Sequence, residues 1–200
     1  MKTLQELTIS SISKTRALGK NYIFYKQIDS TQKEIWRRIN QENILNGTVI
    51  RADSQTAGIG THGRIWHSTE NNIAFSFYYE TNCNISRLNG LTTEIAETIV
   101  EIFQEKYGIT LDIKLPNDIY ANGKKLGGIL TESKVCGDVV KYLVIGIGIN
   151  NSQLEFCEEL ENIATSLNKE FNVIVDVNEF ISEFCNYMEM NLEHRINVGL

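Results

Sequence analysis

Apolar residues along this chain recur with two different periods, and the switches between them mark its elements. Residues 73–79 (IAFSFYY) alternate and are rich in aromatics, which predicts a strand. Residues 22–27 (YIFYKQ), 48–52 (TVIRA), 111–114, 119–121, 125–135 and 139–146 (VVKYLVIG) read as further strands. Helical spacing is carried by residues 91–107 through Ile95, Ile99, Ile102 and Phe103. Residues 31–41 form a second helix, with Ser30 or Asp29 available as its N-cap. Residues 4–18 are weakly amphipathic, and residues 158–167 and 177–193 complete the helices, the last with Asp176 and Glu179 spaced as in a capping box. Asn122-Gly123 and Cys136-Gly137-Asp138 supply tight turns. Strands dominate the middle and hairpins join several of them. This predicts an α+β fold with a mixed, largely antiparallel sheet backed by helices, not a regular β-α-β series.

Composition narrows this picture without changing it. Two hundred residues make about one domain, large enough to bury a core without staples. Lys plus Arg number 19 and Asp plus Glu 25, and the net charge of −6 argues against a nucleic-acid-binding surface. Cys83, Cys136, Cys157 and Cys185 form no C-x-x-C pair and no zinc spacing, so they read as free thiols in a reducing cytosol. The first residues lack a signal-peptide core, and no run approaches the ~18 apolar residues of a membrane span. A cytoplasmic protein with no membrane partner is expected.

The chemistry begins at RADSQTAGIGTHGRIWHS, residues 51–68, where Gly58, Gly60 and Gly63 have G-x-G-x-x-G spacing. A dinucleotide-binding turn must follow a strand and open a helix, which holds the pyrophosphate at its N-terminus. A strand precedes this loop, but no helical periodicity follows Gly63. A Walker loop fails as well, because Arg64-Ile65 stands where Lys-Ser/Thr is required. What remains is a long glycine-rich loop between strands, and loops beyond about 12–15 residues in a compact domain are usually functional or disordered. Its glycines let backbone N–H groups approach an anion, Arg64 offers a fork for phosphate or carboxylate, and Trp66 offers a flat face for a base. The competing reading has Trp66 folded back into the core.

Three further groups stand at strand ends. Asp29-Ser30-Thr31-Gln32 enters a helix, a place for a polar head group or for plain capping. Lys114-Leu115-Pro116-Asn117-Asp118 holds the single proline and reads as a ligand turn or an ordinary polar one. Lys125-Leu126-Gly127-Gly128 and Gly146-Ile147-Gly148-Ile149-Asn150 place glycines in strands, where they mark close approach of a ligand or a kink. No nucleophile triad accompanies them. Chemistry without a nucleophile suggests nucleotidyl transfer, driven by positioning and charge neutralisation.

In this order, Asp29-Ser30-Thr31, Gln55-Thr56-Ala57-Gly58-x-Gly60-x-x-Gly63-Arg64-x-Trp66, Lys114-x-Pro116-Asn117-Asp118, Lys125-Leu126-Gly127-Gly128-Ile129-Leu130 and Gly146-Ile147-Gly148-Ile149-Asn150 resemble the catalytic domain of biotin protein ligases. The resemblance implies a sheet related to class II aminoacyl-tRNA synthetases. It implies activation of biotin by ATP as biotinyl-5′-AMP, then transfer to a lysine of a biotin carboxyl carrier protein. It implies biotin contacts from Ser30, Thr31, Gln32, Gln55, Gly58, Gly60, Gly128 and Lys125. Adenylate contacts fall to Gly60, Thr61, His62, Gly63, Arg64, Trp66, Asn117, Lys125 and Asn150. Lys125, Arg64 and Asp118 take catalytic roles, and Mg2+ comes with ATP, not on a protein cluster.

The departures from the family pattern carry expectations of their own. Ile59, Thr61 and His62 stand where the family's loop commonly has arginines, and Gln32 where Asn is commoner. Fewer cations should loosen retention of the adenylate. The reading gives one catalytic domain over residues 1–200, no N-terminal winged helix and no C-terminal SH3-like domain, with a homodimer possible. The rival readings are a lipoate or octanoate ligase of the same fold and a non-catalytic biotin-binding homologue.

Overall fold

A computed structural model describes residues 14–197. The polypeptide folds as β1 (Tyr22–Ile28), α1 (Thr31–Asn40), β2 (Val49–Ile59), β3 (Ile65–Ser68), β4 (Ile73–Asn84), α2 (Leu91–Tyr107), β5 (Asp112–Lys114), β6 (Asp118–Ala121), β7 (Lys124–Cys136), β8 (Val139–Ile149), α3 (Leu167–Phe171) and α4 (Val177–Asn197). One sheet runs in the order β1-β2-β4-β8-β7-β6-β5, and β3 pairs with β2. Only the β1–β2 pair is parallel, so the sheet is mixed and largely antiparallel, as the strand pattern predicts.

The helix ends follow from local chemistry. Ser30 is the N-cap of α1: its backbone is extended and its side chain accepts from the Lys33 N–H. Glu34 in the first turn and Arg37 and Arg38 in the last complement the helix dipole. Helix α2 stops at Gly108, whose φ of 65° no β-carbon favours and whose N–H closes onto Gln104 and Phe103 carbonyls. At the start of α4 the Asp176 carboxylate accepts from the Glu179 N–H at 2.8 Å.

Sheet register sets what each face can do. On one face Phe75, Phe77, Ile145, Ile147 and Ile149 pack against Ile95, Ile99 and Phe103 of α2 and Phe180, Phe184 and Met188 of α4 in the main core. Phe103 stacks on Phe180 with centroids 5.1 Å apart, and Phe75 meets Phe184 edge-on at 5.4 Å. On the opposite face α1 covers only one corner, a small cluster of Ile35, Ile50, Tyr78 and Val144. Next to that corner, Ser76 pairs with Gly146, and Gly146 with Leu130. The adjoining row is Ala74, Gly148, Gly128 and Asp118. Residues directly opposite each other share a face. Two neighbouring rows of small residues therefore leave a trough in the sheet that no helix fills.

Two expectations change, and a third lies mostly beyond what the structure describes. The glycine-rich stretch is not a long irregular loop. Strand β2 continues through it to Ile59, a single turn at Thr61–Gly63 reverses the chain, and β3 returns antiparallel. Glycine and polar residues carry little strand propensity, so only the pairing with β3 reveals the strand. Residues 158–167 are not a helix but a run of turns ending in Leu167, the first residue of α3. The Lys125 N–H donates to the Ile163 carbonyl and the Thr165 N–H to the Lys125 carbonyl, so this backbone is spent on β7. The expected helix over residues 4–18 lies mostly outside the described residues, and Lys14 to Leu18 form bends and the start of a turn. Among the described residues, no helix is long and apolar enough to cross a membrane.

A buried carboxylate holds the backbone of Arg16 to Leu18 in that turn. The carboxylate of Glu189, in α4 and only 5% exposed, accepts from the backbone N–H groups of Arg16, Ala17 and Leu18. Glu189→Ala strands those donors, so it should lower the unfolding free energy by about 2–3 kcal/mol. Glu189→Gln keeps one carbonyl acceptor and should fall between. Urea titrations of the three proteins check the order.

Candidate active site

The trough is the floor of a cavity of about 370 Å³, a volume ordinary for a small-molecule site. Three glycines floor it, and close neighbours require glycine at two of them. A β-carbon on Gly148 would lie 2.5 Å from the Trp66 ring, and one on Gly146 would lie 2.7 Å from Gln32 Oε1. At Gly128 it would stand 3.6 Å from both Lys125 Nζ and Asp118 Oδ1. The bare strand positions are the places where side chains from α1, β3, β6 and the start of β7 converge. Glycine in these strands marks close approach, not a kink for sheet coiling.

One end of the cavity is built by the N-terminus of α1, where Ser30, Thr31 and Gln32 are all buried. Thr31 donates to Gln55 Oε1 twice, from its backbone N–H at 2.8 Å and from Oγ1 at 3.1 Å. Thr31 Oγ1 also lies 2.8 Å from Ser76 Oγ. A hydroxyl has one proton, so if Thr31 spends it on Gln55, Ser76 is the donor to Thr31. The Gln55 amide is thereby turned, with its NH2 group facing away from Thr31. Asp29, by contrast, points outward and does not line the cavity. Arg37 grips it with two hydrogen bonds of 2.9 and 2.7 Å, and this guanidinium holds its carboxyl at about 2. The first residue of that sequence block fixes the entry to α1 instead of meeting a ligand.

The middle of the cavity carries charge. Lys125 Nζ donates to Asp118 Oδ1 at 2.7 Å, both side chains being mostly but not fully buried. Asn117 is bolted to β7: its Nδ2 donates to the Ile129 carbonyl at 3.1 Å and its own carbonyl accepts from the Ile129 N–H. Asn150, 5% exposed, donates to the Thr165 carbonyl at 2.9 Å and so ties the turns after β8 to the sheet. Phe156, Leu160 and Ile163 of those turns wall the cavity at this end.

The β2–β3 hairpin forms the remaining wall. Trp66 is half-buried on Gly148, and its indole Nε1, shielded from solvent, has no hydrogen-bond partner. Gly60, Thr61 and Arg64 line the cavity, though Arg64 is exposed and turned back on its own hairpin, donating to Thr61 Oγ1 at 2.8 Å and to the Thr61 carbonyl at 3.2 Å. Gly58, His62 and Gly63 do not line it. Gly58 sits behind Trp66, where a β-carbon would be 2.5 Å from the Trp66 carbonyl. His62 and Gly63 form the exposed tip, with φ of 58° and 72°. Every other site residue singled out in the sequence lines this one cavity.

Comparison with known proteins shows the family to which this fold belongs. The profile of the biotin/lipoate A/B protein ligase family matches residues 24–150. The chain belongs to the biotin/lipoate A/B protein ligase family. It is 41% identical over 169 residues to the bifunctional ligase/repressor BirA of Bacillus subtilis, covering 83% of this chain and 52% of the relative. It is 30% identical over 146 residues to the biotin–[acetyl-CoA-carboxylase] ligase of Mycobacterium tuberculosis, covering 70% of this chain and 52% of the relative. The chain thus spans about half the length of the curated relatives it matches. Among solved structures, the biotin protein ligase of Aquifex aeolicus in complex with biotin and ATP superposes with a TM-score of 0.74 at 33% identity, over 90% of this chain and 73% of that one. The mixed sheet and its helices are those of biotin protein ligase catalytic domains, the class II aminoacyl-tRNA synthetase type.

In this member of the family, sequence reasoning missed three parts of the site. Ser76 was hidden inside an apolar strand, Glu132 beyond the glycines of β7, and Gln153, Phe156, Leu160 and Ile163 in the stretch after β8, the last two within a misread helix. Ser76 alone had a signal, as the one hydroxyl in IAFSFYY.

The Trp66–Gly148 contact is open to a direct test. Gly148→Ala in a Trp36→Phe background should lift the indole off the sheet. Its emission should move to the red while the far-ultraviolet circular dichroism stays unchanged, and an unmoved emission maximum would count against the packing.

Proposed function

We propose that this protein is an ATP-dependent ligase that activates biotin as biotinyl-5′-AMP and passes the biotinyl group to a lysine of a biotin carboxyl carrier protein. The observation that carries the reading is the convergence of Gln55, Lys125 and Asn150, from β2, β7 and the end of β8, on one cavity. Around them, buried amides and hydroxyls stand at one end and a lone cation–carboxylate pair stands at the middle.

In this reading the ring end of biotin meets Ser30, Thr31, Gln32 and Gln55, and its tail runs along Gly128 towards Lys125. The biotin carboxylate attacks the α-phosphorus of ATP, a P–O bond forms, and pyrophosphate leaves. Lys125 offsets the charge that builds between the two anions. Adenine rests on the Trp66 face, with Asn150 nearby. Drawing Lys125 towards the adenylate frees Asp118, which then orients the incoming lysine or takes its proton while the amine nitrogen attacks the acyl carbon and AMP departs. The hairpin and the turns after β8 keep water from the mixed anhydride.

Among the described residues, Asp118 is the sole carboxylate lining the cavity, and they hold no cluster of three potential metal ligands. In this reading magnesium travels with the ATP phosphates, and no step is assigned to it. The polar, hydrogen-bonded ring end favours biotin over a lipoyl group, which asks for an apolar tunnel. The acidic net charge favours a protein partner over nucleic acid. A cytoplasmic setting, with ATP and the carrier at hand, fits the free thiols.

The test separates the two half-reactions. Labelled biotin, ATP with magnesium and a carrier domain are supplied, and pyrophosphate release and carrier label are followed separately. Lys125→Ala should slow biotin-dependent pyrophosphate release by about 100-fold or more. Asp118→Asn should slow transfer from preformed adenylate by about 100-fold while adenylation changes far less. Equal losses in both steps would refute the role given to Asp118. Equal use of lipoate would overturn the substrate, and binding of biotin without pyrophosphate release would make the protein a non-catalytic homologue.

A further inference from the structure

Gln32 carries a buried acceptor that the protein does not satisfy. The residue is 4% exposed, and its Oε1 has no hydrogen-bond partner. A buried polar atom without a partner in a native fold asks for a reason, and an absent ligand is one. The atom is aimed at Gly146, where a β-carbon would stand 2.7 Å from it. Glycine there makes the room that this oxygen occupies, on the floor of the cavity that Gln32 and Gly146 both line.

The orientation of this amide is fixed from behind. Gln32 Nε2 donates to Glu132 Oε2 at 2.9 Å and to the Val144 carbonyl at 3.2 Å. Both partners are acceptors, so exchanging the amide oxygen and nitrogen would set one oxygen against two others. Glu132 is anchored in turn. The same Oε2 accepts from Trp36 Nε1 at 2.7 Å, and the Trp36 ring meets Tyr142 edge-on at 6.0 Å. Glu132 lies two residues beyond Leu130 on β7, on the trough face but under the corner that α1 covers. It does not line the cavity itself.

We propose that Glu132 is a positioning residue that locks the Gln32 carboxamide with its oxygen inward, so that the cavity selects a ligand whose ring end carries an N–H donor. This rests on the biotin reading above. The ureido ring of biotin presents two N–H groups, one of which meets Gln32 Oε1. A dithiolane ring has none and would leave that oxygen unpaired, which a buried site resists strongly. The Trp36–Glu132–Gln32 chain thus sets the choice between the two ligand classes that one family of folds accepts.

The experiment measures, by calorimetry, the affinities of wild type, Glu132→Leu and Glu132→Gln for biotin and for the two singly ring-N-methylated biotins, with ATP affinity and thermal stability followed alongside. Wild type should reject one methylated isomer strongly. Glu132→Leu should bind biotin about tenfold or more weakly and lose most of that discrimination, because Gln32 is then free to turn. Glu132→Gln, whose carbonyl still accepts from Gln32 and Trp36, should restore most of both. A merely structural role would lower stability without touching the discrimination between isomers. Should Glu132→Leu fail to fold, Trp36→Phe removes only the N–H that anchors Glu132 and should cut the discrimination about threefold. Wild type that binds biotin, with variants matching its affinity and its isomer preference, overturns the lock alone. Wild type that binds no biotin overturns the ligase reading and this proposal with it.

Discussion

The bare face of β7 and β8 is the constraint on which the site depends. Gly128 lies opposite Gly148, and Gly146 is flanked by Ser76 and Leu130, so the centre of a well-paired sheet carries almost no side chains on one side. Strand glycines cost conformational entropy and forgo packing. The sheet tolerates them because its other face is heavily buried against α2 and α4, where phenylalanines and isoleucines make up the loss. One face provides stability and the other provides space. Gln32, Trp66 and Lys125 reach the trough from α1, the hairpin and the start of β7, and the first two occupy room that a β-carbon would take.

Capping and function are not alternatives at the start of α1. Ser30 closes the helix with its side chain, and the same turn delivers Thr31 and Gln32 into the cavity. Asp29, which sits in the same sequence block, is drawn away by Arg37 one helical face over. A block of neighbouring polar residues is thereby divided between holding the backbone and facing the ligand. Spacing along the chain cannot make that division, because it depends on where an arginine eight residues later happens to project.

The strands and the two long helices were legible because burial on one or both faces imposes a period that the sequence must keep. The ligand-facing motifs were legible because glycine, proline and amide residues are costly in strands and stand out there. Legibility failed where the backbone is stabilised by a distant partner. The outer half of β2 reads as loop because Gln55 to Ile59 has no apolar alternation, and only β3 makes it a strand. Residues 156, 160 and 163 keep helical spacing, yet the chain here forms local turns whose end is tied to β7, the Ile163 carbonyl accepting from the Lys125 N–H and the Thr165 N–H donating to the Lys125 carbonyl, and the apolar side chains turn to the cavity. Glu132 was silent for a similar reason. A carboxylate late in a strand looks solvent-facing until α1 brings Trp36 and Gln32 over it.

Rigidity and incompleteness are linked in this site. The charged pair at its centre is satisfied, since Lys125 and Asp118 hold each other, and so are Asn117 and Asn150, which are engaged with backbone. The cavity-lining residues leave two buried polar atoms without partners, over neighbouring strand positions: Gln32 Oε1, an acceptor, above Gly146, and Trp66 Nε1, a donor, above Gly148. A cavity whose polar atoms were all free would collapse or fill with water, and one with none free would select nothing beyond shape. Holding the amides from behind, through Glu132 for Gln32 and Thr31 for Gln55, keeps the unmet groups pointing inward at little entropic cost when a ligand arrives. The stability forgone by leaving those atoms bare is the source of the discrimination, because only a ligand of the right polarity restores it.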